Sequence, residues 1–410
     1  MRDKHPFRSR HRRASGTLLA VLLVTALVGA FVAWKGVSVL RRYEAARNVT
    51  TGGDTVPKTL VGLWATVDSS DVLGSLTAIV EMPGSTNGGH LISIPVSGDG
   101  GGSDLASSFR QEYLDGGVES MQISVEAALN VTFDFVQVSK PSEFDALIRP
   151  VLPVSVDLPD AVPGNGPSIA AGKLSMNGEQ LAAVLNRRGN GLESTRRDNT
   201  LAVWRGIAAA VGQGKTTFDA ATQPTTFAEL LTRVLAGPVD VAGLSAKTID
   251  AERNPNRLDV EQIDIAQSVL VFAAISPSNM SSPSQGLKYR LEAPANSTAR
   301  LYDAIATLIY LGGNVVQVGL NGTEQAATLV TLADSRDKAR VEENPLFGKV
   351  EYKPDRKRIA GVDVQMSLGS DYLNKPASGE ADPSASTTTN SDSVVSTTST
   401  TGSSSSSVNG

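Results

Sequence analysis

Nineteen consecutive residues, Gly16 to Trp34, carry no charge and are dominated by Leu, Val and Ala. As a helix rising ~1.5 Å per residue they would reach about 28 Å, close to the ~30 Å hydrocarbon core of a bilayer. The pattern predicts a single membrane-spanning helix over 16–34. Arg2, Lys4, Arg8, Arg10, Arg12 and Arg13 precede it and Lys35, Arg41 and Arg42 follow it. That bias predicts a cytoplasmic head over 1–15, with the body held outside the cell membrane. A cleaved signal peptide is the alternative, with Val28-Gly29-Ala30 as a small-residue cleavage site. Either way the body is exported.

The body is acidic. Residues 1–15 carry +5, so with a whole-chain charge of −5 the remainder carries −10. Phosphate-backbone binding needs clustered Lys and Arg, so no nucleic-acid partner is expected. The chain has no cysteine and three histidines, of which His5 and His11 lie in the basic head. Disulfide staples, thiolate chemistry and multi-histidine metal sites are excluded. A Ser-His-Asp mechanism would have to use His90.

Residues 35–58 read as a juxtamembrane spacer. Of the 24 residues from Ser384 to Ser407, 18 are Ser or Thr, so 375–410 is predicted to be a disordered tail. Between these ends, strand and helix patterns alternate. Leu76–Val80 and Leu91–Pro95 read as strands, and Val131, Phe133 and Phe135 show the period of a half-buried strand. Helices are expected over 178–185 and 199–211. A Gly/Pro/Ser cluster at 276–286 divides the body into 59–285 and 286–374. In the second part, Leu301, Ile305 and Leu308 share a helical face that Gly312-Gly313 ends. Val362, Val364, Met366 and Leu368 alternate in a last strand. The apolar run Ser268–Ile275 fits a strand or a helix. The expected class is α/β: a mixed α+β domain, then a small α/β domain.

The order of these motifs resembles the LytR-CpsA-Psr proteins of bacterial envelopes, many of which end in a small LytR C-terminal domain. The resemblance is carried by Tyr289–Glu292, by Gly312-Gly313-Asn314-Val315-Val316, and by Val362 to Asp371 with its Leu-Gly-x-Asp ending. Upstream, Leu91-Ile92-Ser93-Ile94-Pro95 matches a strand that in the family ends Ser-Ile-Pro-Arg-Asp. Gly116-Gly117 precedes a helical stretch, as paired glycines do there, and Gly178-Glu179-Gln180 opens a helix leading to arginine motifs. The resemblance implies transfer of a glycopolymer from a polyprenyl-pyrophosphate carrier to peptidoglycan. Guanidinium forks and a magnesium-binding carboxylate would neutralise the charge.

Most of the residues that chemistry needs are replaced. Val96-Ser97 stands where the family has Arg-Asp, and Ser75 where an aspartate is expected, although Asp68 and Asp71 are near. Asn186 replaces the first arginine of an Arg-x-Arg motif and Arg188 keeps the second. Glu193 and Arg196 remain in register, while Asn199-Thr200 replaces a closing Arg-Gln. Each lost arginine–phosphate contact removes about 1.5–3 kcal/mol. With three arginines gone, the expectation is a pseudoenzyme that binds without transferring.

Arg187, Arg188, Arg196 and Arg197 form the dense basic cluster of the first domain. Arg188 and Arg196 are the candidate residues for a lipid phosphate or an anionic wall polymer; a solvated loop between helices is the plainer reading. The loop Gly98-Asp99-Gly100-Gly101-Gly102 lacks the Gly-Lys-Ser/Thr ending of a phosphate cradle. Asp68, Asp71, Asp99 and Asp104 read as scattered surface acids. No cofactor is expected, with magnesium only if transfer is retained. Three functions follow: a non-catalytic envelope binder or scaffold in cell-wall assembly, an active transferase with displaced residues, and a structural anchor from membrane to wall.

Overall fold

A computed structural model describes residues 55–83, 87–101, 105–164, 167–188, 192–211, 223–342, 345–353 and 359–375. The expected membrane helix, the basic head, most of the spacer, Asp104 and the tail from 376 lie outside the described residues. No described helix is long and apolar enough to cross a membrane. The described parts of Val56–Arg356, with Gly361–Lys375, form one compact unit.

The fold is mixed α/β. Its first sheet is built from β1 (Val61–Val67), β2 (Leu73–Glu81) and β3 (Gly89–Ile94), an antiparallel meander. After α1 (Phe109–Leu129), β4 (Phe135–Ser139) pairs parallel to β1. Then come α2 (Pro141–Ile148), the hairpin of β5 (Val154–Leu158) and β6 (Gly172–Met176), α3 (Gly178–Asn186), α4 (Arg197–Ala210) and α5 (Phe227–Leu235). β7 (Val239–Gly243) closes the sheet parallel to β3, giving the order β4-β1-β2-β3-β7.

Every residue of β1 and β2 is buried. Both faces of the sheet are covered, so these strands show apolar runs rather than clean alternation. On one face Trp64, Ile79 and Leu91 pack with α2 to α5. Here Trp64 stacks on Phe144 at 5.0 Å and meets Trp204 at 5.5 Å and Phe227 at 5.8 Å. On the other face Leu63, Ala78 and Ile92 pack against Met121, Val125 and Leu129 of α1.

A short hairpin of β8 (Ala246–Thr248) and β9 (Glu261–Ile263) leads into α6 (Ile265–Ile275), so the Ser268–Ile275 run is helical. Asp264 caps α6 by accepting from Gln267 N at 3.0 Å, and also accepts from the Tyr302 hydroxyl at 2.7 Å. Phe272 faces the first sheet's cluster, while Val269, Leu270 and Ala273 belong to the next one. A helix clothed in protein on both sides is apolar all round.

The second sheet contains β10 (Lys288–Glu292), β11 (Asn314–Gly319), β12 (Thr328–Leu332), β13 (Val350–Lys353) and β14 (Val364–Ser367), in the order β11-β10-β14-β12-β13. α7 (Thr298–Tyr310) covers it with Leu301, Ile305 and Leu308. The helix ends as its glycines predict: Gly312 sits at φ +77°, donating to Ile309 O at 2.9 Å, and Gly313 donates to Leu308 O at 2.8 Å. This is a Schellman cap.

Two expectations shift. The strand expected at 131–135 begins only at Phe135; Val131 makes an isolated bridge to Met280, because the chain first crosses from α1 to the sheet edge. Gly116 and Gly117 do precede a helical stretch, but helix also leads into them, and Gly117 kinks α1 there with φ +69°.

Candidate functional site

The positions where the sequence departs from the expected anion clamp are buried and structurally committed. Ser75 and Thr66 hydroxyls lie 2.8 Å apart, Thr66 donates to Asn186 Oδ1 at 2.6 Å, and Asn186 Nδ2 donates to Val67 O at 2.9 Å. This neutral chain ties the end of α3 to β1 and β2. Gly74 permits it, since a Cβ there would lie 2.2 Å from Asn186 Oδ1. Val96 is packed in the first sheet's core, and Ser97 donates to Glu261 Oε2 at 2.5 Å. Asn199 is buried and accepts from Asp160 N at 3.1 Å.

Beside this network lies a cluster that depends on a residue not singled out above. Arg110 stands in the first turn of α1, after the N-cap Ser108, which accepts from Gln111 N at 3.2 Å. Its Nε donates to Leu73 O and its Nη2 to Glu193 Oε2, each at 2.8 Å. Arg196 donates through Nη1 to both Glu193 oxygens, at 2.9 and 3.0 Å, and through Nη2 to Leu185 O at 2.7 Å. Glu193 is thus held between two guanidinium groups, and its backbone N–H donates to Asp259 Oδ2 at 2.9 Å. No sequence signal marked Arg110, because its burial and its partner are set by the tertiary fold.

The four arginines of the basic cluster separate. Arg187 donates to Pro167 O at 2.7 Å. Arg197 pairs with Glu261, the carboxylate that also accepts a hydrogen bond from the Ser97 hydroxyl. Arg196 is drawn inward on Glu193, and Arg188 is left on the surface. Burial lowers the Arg196 pKa, with Glu193 opposing it. Arg188 is exposed overall, yet partial burial and then Arg110 lower its pKa, against Glu193, Asp259 and Asp68. Both guanidinium groups stay charged at neutral pH.

Arg188 and Arg110 line a cavity of about 410 Å³, with Asp71, Asp259, Tyr113 and Leu114 among the other walls. Asp71 stands at φ +64° and accepts from the Tyr113 hydroxyl at 3.3 Å. Burial, then Asp71, raise the Tyr113 pKa. The remaining acids are used locally. Asp99 pairs with Arg253 at 2.7 Å and accepts from Ser107 N, while Asp68 accepts from Ser70 N and Val72 N. Among the described residues no three acids or histidines are grouped to hold a metal. His90 lies 3.6 Å from Asp240, at the β3–β7 edge and outside this cluster.

Fold and site define a mixed α/β protein with a guanidinium–carboxylate cluster whose Arg110 also lines an open cavity. No family model matches the chain, and no curated protein matches it. Among solved structures, B. subtilis TagV is 16% identical with a TM-score of 0.39, over 52% of this chain and 94% of that chain. B. subtilis TagT is 14% identical with a TM-score of 0.38, over 52% and 88%. A structure of TagT bound to LIIa-WTA is 15% identical with a TM-score of 0.35, over 52% and 88%. TagV and TagT are LytR-CpsA-Psr proteins.

Proposed function

We propose that this protein is a membrane-anchored binder or scaffold of the bacterial cell envelope. In this reading, the helix over 16–34 holds two extracytoplasmic domains, 59–285 and 286–374, and the cavity beside Arg188 receives a wall polymer or its lipid-linked precursor without transferring it. The observation that carries the reading is the burial of Ser75, Val96, Asn186 and Asn199. Where a diphosphate clamp would need charge, these side chains are neutral and already packed or hydrogen-bonded.

A second reading has one observation in its favour. Arg110 and Arg188, with Asp71 and Asp259, surround a single cavity, an arrangement that retains some machinery of a glycopolymer transferase. The two readings separate in one assay, with the full chain incubated with a polyprenyl-diphosphate glycan donor, peptidoglycan and magnesium. The binder reading expects no turnover; sustained transfer to peptidoglycan overturns it.

A further inference from the structure

Glu193 occupies the position of an anion. Two guanidinium groups from different elements converge on its carboxylate, and both partners of the Arg110 contact are close to excluded from solvent, at 10% and 8% exposure. Each guanidinium is also tied to a backbone carbonyl, Leu73 O for Arg110 and Leu185 O for Arg196. An external phosphate would have to displace a carboxylate that is already bound and desolvated, so these two arginines offer it little.

The charges balance over cluster and wall together: Arg110, Arg188 and Arg196 stand against Asp71, Glu193 and Asp259, three positive charges against three negative. A diphosphate entering this space would meet carboxylates as often as guanidinium groups. The remaining wall has different chemistry: the polar residues Gln111, Ser107, Ser108 and Tyr113 stand with Leu114 and Leu258. Those two leucines are 66% and 55% exposed. Carboxylates, an amide and a guanidinium beside small apolar surfaces suit a ligand that is neutral, dense in hydroxyl groups, and apolar on its C–H faces.

We propose that Glu193 acts as a built-in anion quenching the Arg110–Arg196 pair, so that the cavity takes a neutral saccharide portion of an envelope polymer rather than a phosphate. This rests on the reading of the protein as an envelope-polymer binder. Glu193 is a specificity-determining residue that works through the two arginines, and Arg188 is the cation left to meet the ligand.

Calorimetric titration of the full chain in detergent micelles tests it, with chitotriose and inorganic pyrophosphate as probes. The expected result is saturable chitotriose binding, with pyrophosphate at least tenfold weaker. Glu193→Gln should strengthen pyrophosphate binding tenfold or more while a thermal melt shows the chain folded. Should that variant fail to fold, Asp259→Asn is expected to shift pyrophosphate affinity in the same direction. Pyrophosphate binding as tight as chitotriose in the unaltered chain overturns the inference and leaves the envelope-binder reading standing. Binding of neither probe overturns both. Sedimentation with peptidoglycan sacculi would assign the saccharide to the wall, and binding only to a polyprenyl-diphosphate N-acetylglucosamine in micelles would assign it to a lipid-linked precursor.

Discussion

Arg110 and Glu193 lie 83 positions apart in the chain and meet at 2.8 Å. The contact joins the first turn of α1 to the segment entering α4, and Arg110 also lines the cavity. Arg196 shares the same carboxylate.

Glu193 should therefore matter more to stability than either arginine. Glu193→Ala leaves two guanidinium groups without their acid and should cost about 3–5 kcal/mol, the range for breaking a buried pair. Arg110→Ala leaves Glu193 still bound by Arg196 and should cost less. Urea denaturation of both variants checks the order, and equal losses would show that the three residues do not act as one cluster.

Arg188 and Arg196 should part company. Arg188→Ala removes an exposed side chain and should change stability by no more than about 0.5 kcal/mol. It should also weaken saccharide binding. Arg196→Ala should lower the melting temperature first, because its guanidinium is paired and largely buried. Thermal melts beside titrations separate the two effects.

Restoring an arginine at position 186 should harm the protein rather than equip it. The Asn186 amide is bonded on both sides, and Gly74 lies against it. Overpacking at such a site costs about 1–3 kcal/mol, and the lost hydrogen bonds add to it. Asn186→Arg should melt earlier with no gain in pyrophosphate affinity.

His90 gives a pH dependence. Burial lowers its pKa below 6.5, with Asp240 opposing. The unfolded chain therefore binds the proton more readily than the folded one. The stability at stake is complete above the unfolded value and falls as pH drops through 6.5 toward the lowered folded pKa. The difference in unfolding free energy between the unaltered chain and His90→Gln should shrink over that window and stay flat above it. Denaturation at stepped pH measures it.

Gly312→Ala should cost about 1–2 kcal/mol from left-handed strain alone, since no neighbour lies within 4 Å of the added methyl. A larger loss would point to a tertiary role for the α7 turn.

Where a structural cause was local, the sequence sufficed. The spacing of Leu301, Ile305 and Leu308 with Gly312-Gly313 defined α7 and its end, and alternation marked the last strand, because helix faces, caps and pleats are set by neighbours a few residues apart. The absence of charge at Val96, Asn186 and Asn199 was equally plain. Other features required the tertiary structure. β1 gave little alternation because both its faces are buried, and Ser268–Ile275 fitted strand or helix because α6 is clothed on both sides. The division of the four arginines among Pro167, Glu193, Glu261 and the cavity was hidden for the same reason as the Arg110–Glu193 contact. A charged side chain's partner is chosen by three-dimensional proximity, and nothing in the local pattern of residues records it.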